Sequence, residues 1–225
     1  MKVHRQAAAQ GYAAQCSAQR STERSAVPAR MPVVSDLRGR GGRTPHTLSF
    51  AAGDVVVVSG LPGSGKTTLL RRAAAGLGID SQDTRRAWEA RMGPVPYVLY
   101  RPVVRVAHFL RTHWALRTGA SLVVHDCGTH AWVRWSLARG AARGGRALHL
   151  VLLDVPPELA LEGQRSRGRK VSAYAFARHR RAVPRLIDEV AAGRLPRGVA
   201  SAVLLDRQAA QTVTRIAFGA SPGQR

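Results

Sequence analysis

The chain has 225 residues, 45% of them hydrophobic, so it is long enough for one domain with an appendage, and wholesale disorder is excluded. No apolar run approaches the length of about 18 to 20 residues that a membrane-spanning helix needs, so no membrane partner is expected. The 35 basic and 13 acidic residues give a net charge of +22, but all the basic residues except Lys2, Lys66 and Lys170 are arginines, spread along the whole chain. Because a nucleic-acid reader concentrates its charge on one face, we expect no specific nucleic-acid partner.

The N-terminal region lacks a sustained hydrophobic period. Residues 1–46 are composed mainly of Gln, Ala, Ser, Arg, Gly and Pro, and Arg38–Arg43 has the composition of a flexible basic link. We therefore predict a disordered basic arm over residues 1–46, a folded domain over 47–220 and a short tail over 221–225. The two cysteines, Cys16 and Cys127, form no disulfide or zinc framework, which favours a reducing, cytoplasmic location.

After residue 47, short apolar runs alternate with longer helical patterns. The β-branched run Val55–Ser59 is typical of a strand buried on both faces of a parallel sheet. Further strands are predicted at 122–125, 147–153 and 202–205, and helices at 66–75, 81–92, 103–117, 132–143, after Pro156-Pro157, 173–192 and 209–218. This alternation predicts an α/β fold in which a parallel sheet is flanked by helices in a three-layer sandwich.

One complete chemical motif lies between the first of these strands and the first helix. Residues 60–67 match GxxxxGK[ST], the phosphate loop that curls backbone N–H groups around a nucleotide phosphate. Lys66 is predicted to reach the β- and γ-phosphates, and the Thr67 hydroxyl to ligate Mg²⁺. The predicted cofactors are therefore ATP and Mg²⁺, and the predicted nucleotide-binding residues are Gly60, Leu61, Pro62, Gly63, Ser64, Gly65, Lys66, Thr67 and Thr68.

Carboxylates follow two of the strand-like segments. Asp126 ends the run that begins at Leu122, beside the phosphate loop, where a second Mg²⁺-binding group is expected. Asp80 and Asp83 stand at the start of the second helix and compete for the role of general base. No Asn-Lys-x-Asp element accompanies the loop, so a guanine-specific switch is disfavoured.

Four segments together resemble the small P-loop kinases, a group that includes polynucleotide kinase 5′-kinase domains, zeta-toxin-like kinases and AAA-type ATP-binding proteins. They are the phosphate loop, Asp83-Thr84-Arg85-Arg86, the strand-like run ending in Asp126, and the run from Leu152 through the arginines at 165–169. The resemblance implies a P-loop fold and phosphoryl transfer from ATP.

The resemblance also implies roles for individual residues. Asp83 would accept the proton of the attacking hydroxyl, and Arg86 would hold the acceptor. The arginines of the fourth segment would form a lid over ATP, with Arg165 and Arg169 in catalysis and Arg167 in nucleotide binding. Asp80 and Arg134 are further candidates for the acceptor side.

The function that the sequence best predicts is that of a kinase that transfers the γ-phosphate of ATP to a small hydroxyl compound. A P-loop ATPase or nucleotide-dependent switch without a phosphorylated acceptor is the first alternative. A polyanion-binding module is the second. The residues between Arg86 and Ala120 match no substrate signature, so the sequence does not identify the acceptor, and it predicts no oligomeric state.

Overall fold

The structure, a computed structural model, describes residues 33–74, 76–125, 130–166 and 173–219. All of them belong to the unit Met31–Arg225. The strands are β1 Val34–Asp36, β2 Thr47–Phe50, β3 Val55–Gly60, β4 Gly78–Ile79, β5 Leu122–His125, β6 Leu148–Leu153, β7 Ser201–Leu205 and β8 Arg215–Phe218. The helices are α1 Lys66–Ala73, α2 Ser81–Met92, α3 Tyr97–Arg117, α4 Ala131–Arg143, α5 Pro157–Arg165, α6 Ala173–Ala191 and α7 Arg207–Thr212.

Six strands form a parallel sheet in the order β1-β7-β6-β3-β5-β4. The strand β3 is central and pairs with β6 on one side and β5 on the other, so that Val58 lies opposite Val151 and His125. Because all carboxyl ends lie at one edge, the segments after β3, β4 and β5 meet there, which is where ligands bind in open α/β sheets. The predicted three-layer α/β sandwich of the P-loop type is confirmed.

The two faces of the sheet each carry a hydrophobic core, because successive side chains of a strand point to opposite faces. Val55 and Val57 pack in the core that includes residues of α4 and α6, whereas Val56 and Val58 pack in the core that includes residues of α1 and α7. All four valines are fully buried. This double burial is the reason that β3 has a continuous apolar sequence rather than an alternating one.

The predicted boundary of the N-terminal arm at residue 46 is wrong. Val34–Asp36 pairs in parallel with β7 at the edge of the sheet, and the side chain of Leu37 is buried. Arg38 then donates a hydrogen bond of 2.7 Å to the carboxylate of Asp154, which follows β6. A three-residue edge strand carries no readable period, so the domain begins earlier than the composition suggested.

Two predicted helices are also corrected. The helix predicted to start after Pro102 begins at Tyr97 and contains that proline, since the buried side chains of Tyr100 and Val104 pack on either side of it. The lost backbone bond at a proline costs a helix stability, and this packing offsets it.

The helix predicted over 209–218 ends at Thr212, and β8 follows it. Asp206 caps α7, and β8 pairs with β2 in a two-stranded parallel ribbon that places Ile216 beside Leu48. Because β2 was not predicted, the sequence offered no pairing partner for β8.

The outward face of α3 is unexpectedly apolar. Tryptophans within helices are expected in the core, but Trp114 is 70% exposed and Trp132, on the neighbouring α4, is 59% exposed. Val103, Val106 and Leu110 share this exposed face at helical spacing. Within the described residues, no helix has the length and apolarity needed to cross a bilayer.

Candidate phosphate-binding site

The phosphate loop connects β3 to α1 at the carboxyl edge of the sheet. Gly65 precedes α1 with a φ of 98°, a left-handed conformation that favours glycine. The first turn of α1 therefore points its free backbone N–H groups and the positive end of its dipole into the loop. This arrangement can bind an anion of the size of a phosphate group.

The helix α5 packs directly on the loop. A Cβ atom at Gly63, whose φ is 90°, would lie 2.0 Å from the carbonyl oxygen of Ala160. A Cβ atom at Gly163 would lie 2.6 Å from the carbonyl oxygen of Gly63. The Gln164 amide donates a hydrogen bond of 2.8 Å to the Pro62 carbonyl. Backbone-to-backbone contact thus fixes the path of the loop and requires glycine on both sides.

The Lys66 side chain is folded back onto this loop and is only 5% exposed. Its Nζ donates hydrogen bonds of 2.8 Å to the Gly60 carbonyl and 2.7 Å to the Leu61 carbonyl. The ammonium group is therefore already held inside the loop, close to where the loop amides point.

A buried carboxylate lies next to α1. Asp80 is 2% exposed and caps α2, where its Oδ1 accepts a hydrogen bond of 2.9 Å from the Gln82 amide. The same oxygen lies 2.6 Å from Nδ1 of His125, the last residue of β5. Burial alone would raise the pKa of Asp80, but the hydrogen bonds from His125 and Gln82, the charge of His125 and the nearby Thr67 hydroxyl lower that pKa to about 2. Asp80 is thus ionised at neutral pH.

The other oxygen of this carboxylate is available for a cation. Asp80 Oδ2 is buried and has no hydrogen-bond partner among the described residues. A buried carboxylate oxygen without a partner is costly, and hard oxygen donors are the ligands that Mg²⁺ prefers. Asp80 Oδ2 and the Thr67 hydroxyl therefore fit the predicted Mg²⁺.

Asp83 lies one turn further along α2, in a different environment. Its side chain is 50% exposed, and Oδ1 lies 3.9 Å from nitrogens of both Arg71 and Arg86. The structure separates the two aspartates that the sequence left in competition, since Asp80 adjoins the phosphate loop and Asp83 faces solvent.

Two of the residues predicted to face the acceptor are buried. Asp80 is 2% exposed and Arg134 is 6% exposed, so the structure presents neither side chain to an incoming molecule. Asp80 is buried because it caps a helix and binds His125, and Arg134 because it lies on the inner face of α4. Arg86, the third predicted acceptor residue, is exposed.

An open cavity of about 240 Å³ lies on the other side of the loop. Its walls combine the loop glycines with Thr68 of α1, Leu159 of α5, and Arg207 and Gln211 of α7. Apolar contact and hydrogen-bonding groups are therefore both present beside the loop, as a planar heterocycle attached to a phosphate chain would require.

Some predicted site residues lie outside the described residues. These are Asp126, expected at the metal, and Arg167 and Arg169, expected in the lid. Arg165 is described, and it is exposed at the end of α5, one residue after the loop-binding Gln164.

The sequence missed three contributors to this site. The contact of His125 with Asp80 spans 45 residues of sequence, so no local pattern indicates it. Gln164 and Gln211 carry no motif, so no local signal could have identified them. Gln164 lies seven residues after the second proline of Pro156-Pro157. This spacing indicates the face of the helix on which Gln164 lies, but it does not indicate that the side chain binds the phosphate loop.

Comparison with known families and structures agrees with this geometry. A family model described as "AAA domain" matches residues 55–191. Among curated proteins, none matches the chain.

Two solved structures share the fold at low identity. A proposed kinase of Chloroflexus aurantiacus is 16% identical, with a TM-score of 0.51 over 69% of this chain and 85% of that one. A structure of the PezAT toxin–antitoxin system of Streptococcus pneumoniae is 15% identical, with a TM-score of 0.51 over 73% of this chain and 71% of that one. Both likenesses concern the fold alone.

Proposed function

This chain belongs to the AAA domain family, and on that premise we propose that it binds ATP with Mg²⁺ and transfers the γ-phosphoryl group to a hydroxyl of a small acceptor. One observation carries the proposal. A complete phosphate loop has its Thr67 beside a buried, ionised carboxylate, Asp80, which retains a free oxygen. Phosphoryl transfer depends on positioned charge rather than covalent chemistry, and these are the parts it needs.

Nucleotide binding would use groups that already converge on the loop. The amides at the start of α1 bind the phosphates, and Lys66 exchanges its two carbonyl contacts for phosphate oxygens. The base occupies the cavity between α1, α5 and α7. We assign to Arg165, at the exposed end of α5, the role of binding the phosphates.

Thr67 and Asp80 would hold Mg²⁺, which when bound neutralises charge on the β- and γ-phosphate oxygens. The contribution of the chain is to keep one carboxylate oxygen of Asp80 unpaired and ionised beside the Thr67 hydroxyl. Asp126 remains a further predicted ligand.

We assign Asp83, rather than Asp80, as the general base that accepts the proton of the acceptor hydroxyl. A general base must reach the hydroxyl that it deprotonates. Asp80 is buried, its Oδ1 accepts two hydrogen bonds, and its lowered pKa makes it a poor proton acceptor. Asp83 is half exposed, and Arg71 and Arg86 beside it supply positive charge for the approaching acceptor and phosphate.

Acceptor-dependent release of ADP tests the proposal. The purified full chain is incubated with Mg·ATP and a panel of sugars, polyols, nucleosides and amino-alcohols, with Lys66→Ala as the control. We expect at least one hydroxyl compound to raise ADP release in the wild type, with phosphate recovered on the acceptor, and no rise in the control. ADP release at one rate whatever compound is present, with free phosphate as the product, would instead support the ATPase alternative.

A further inference from the structure

We propose that His125 is a positioning residue that selects which oxygen of Asp80 faces the Mg²⁺ site. The inference rests on the proposed function and extends it to a residue at the end of β5, outside the phosphate-loop motif. It follows from how the two oxygens of Asp80 are used.

The imidazole of His125 is the hydrogen-bond donor in its contact with Asp80. An ionised carboxylate can only accept hydrogen bonds. The 2.6 Å contact between His125 Nδ1 and Asp80 Oδ1 therefore requires a proton on Nδ1. The Ser81 hydroxyl, 3.3 Å from Nδ1, lies on the same side of the ring.

The imidazole of His125 is held in place by its strand and by α3. His125 is 7% exposed and ends β5, which pairs with the central strand β3 through Val58. The half-buried His108 of α3 also hydrogen bonds to the backbone of His125. The ring thus projects from a sheet position fixed on both sides and cannot follow a rotating carboxylate.

The two carboxylate oxygens of Asp80 have different surroundings. Its Oδ1 is occupied by His125 and by the Gln82 amide. The remaining oxygen, Oδ2, is buried without a hydrogen-bond partner among the described residues, and Thr67 lies close by. Without the Nδ1 donor, the carboxylate could rotate and share its oxygens between the Gln82 amide and the cation. His125 therefore holds Asp80 in a single orientation for metal binding.

A matched pair of substitutions isolates this role. In His125→Asn the side-chain amide lies near the position of Nδ1 and can still donate to Asp80. In His125→Gln the amide lies near the position of Nε2 and cannot. The two variants differ by one methylene, so a difference between them reports the position of the donor rather than the loss of the ring.

The measurement is the Mg²⁺ dependence of nucleotide binding, which needs no acceptor and no turnover. The affinity of the full chain for a fluorescent ADP analogue is measured without Mg²⁺ and across a Mg²⁺ titration, and the melting temperature without ligand is recorded for each variant. We expect His125→Gln to raise the Mg²⁺ midpoint at least fivefold and leave metal-free nucleotide affinity within twofold. We expect His125→Asn to stay within twofold of the wild type.

Asp80→Asn completes a double-mutant cycle. If His125 acts only through Asp80, His125→Gln adds no further Mg²⁺ defect to Asp80→Asn. Equal Mg²⁺ midpoints for the wild type, His125→Asn and His125→Gln, with Asp80→Asn defective, would overturn the inference and leave the proposed function standing. A wild-type chain that binds no nucleotide at any Mg²⁺ concentration would overturn both.

Discussion

The phosphate loop and the acceptor side of the molecule are built in different ways. The loop is set by backbone contacts, with Gly63 against Ala160 and Lys66 bound to loop carbonyls. The side that we propose for the acceptor comprises α2 and the neighbouring α3, and it presents exposed side chains such as Asp83 and Val103. A site fixed by backbone geometry requires particular residues at fixed spacing, whereas a site formed by exposed side chains can vary freely. The phosphate loop can therefore be recognised as a sequence motif, whereas a site formed by exposed side chains cannot.

The largest effect is expected from the acceptor side. Asp83→Asn should lower the rate of phosphoryl transfer by about 10²- to 10⁴-fold, the usual contribution of a positioned base. The dissociation constant for ATP should change by no more than a few-fold, because the ion pairs of Asp83 are with Arg71 and Arg86, which lie outside the loop. Transfer rates and nucleotide affinity are measured for this variant and for Asp188→Asn, which alters an exposed aspartate of α6. A near-normal rate of phosphoryl transfer by Asp83→Asn would show that Asp83 is not the general base.

The substitution Gly63→Ala tests whether backbone contacts fix the conformation of the loop. Gly63→Ala should weaken nucleotide binding by at least about tenfold, because the new Cβ would lie 2.0 Å from the Ala160 carbonyl oxygen and force the loop and α5 apart. The matched control is Gly42→Ala, where no atom lies within 4 Å of the added Cβ. Equilibrium binding of a fluorescent ADP analogue distinguishes the two, and equal affinities would show that the loop tolerates this displacement.

The buried carboxylate makes a smaller and pH-dependent contribution. Because folding lowers the pKa of Asp80 from 3.8 to about 2, its contribution to stability is present above pH 3.8 and is lost as the pH falls towards 2. Linkage gives a loss of about 1 kcal/mol between pH 5 and pH 3 from this group. Urea denaturation at the two pH values should show a correspondingly weaker pH dependence for Asp80→Asn. If Asp80→Asn leaves the pH dependence of stability unchanged, folding does not lower the pKa of Asp80.

The smallest effect concerns the link between β5 and α3. Burial, followed by the charge of His125, lowers the pKa of His108 below its ordinary value of 6.5. The neutral form is favoured in the folded state, so the stability from this group is complete above pH 6.5 and is lost as the pH falls below that value. Melting temperatures at pH 7.5 and 5.5 should differ less in His108→Gln than in the wild type, and a larger difference would contradict the assignment.

Local signals in the sequence were enough to predict the part of the fold that carries the phosphate loop. The continuous run Val55–Val58 predicted the central strand, and residues 60–67 predicted the loop and the start of α1, because each depends only on neighbouring residues. The strand β1 could not be predicted, since three residues at a sheet edge have no period and depend on β7, whose paired residues lie 168 positions further along the chain.

The candidate site was predictable only where one segment supplies it. Lys66 and Thr67 belong to the loop motif, but the contact of Asp80 with His125 joins two strand ends that become neighbours only when β4 pairs with β5. The exposed tryptophans were mispredicted for a similar reason, because the helical pattern of α3 gives two apolar faces and does not say which one the sheet covers.

Nucleotide-dependent thermal stabilisation is the most direct test of the central claim, that this loop binds Mg·ATP through Lys66. A ligand that binds only the folded state stabilises it by RT ln(1 + [L]/Kd), so saturating Mg·ATP should raise the melting temperature of the wild-type chain, and Lys66→Ala should lose most of that rise. A wild-type melting temperature that stays constant up to millimolar Mg·ATP, or a rise that Lys66→Ala retains in full, would contradict the account.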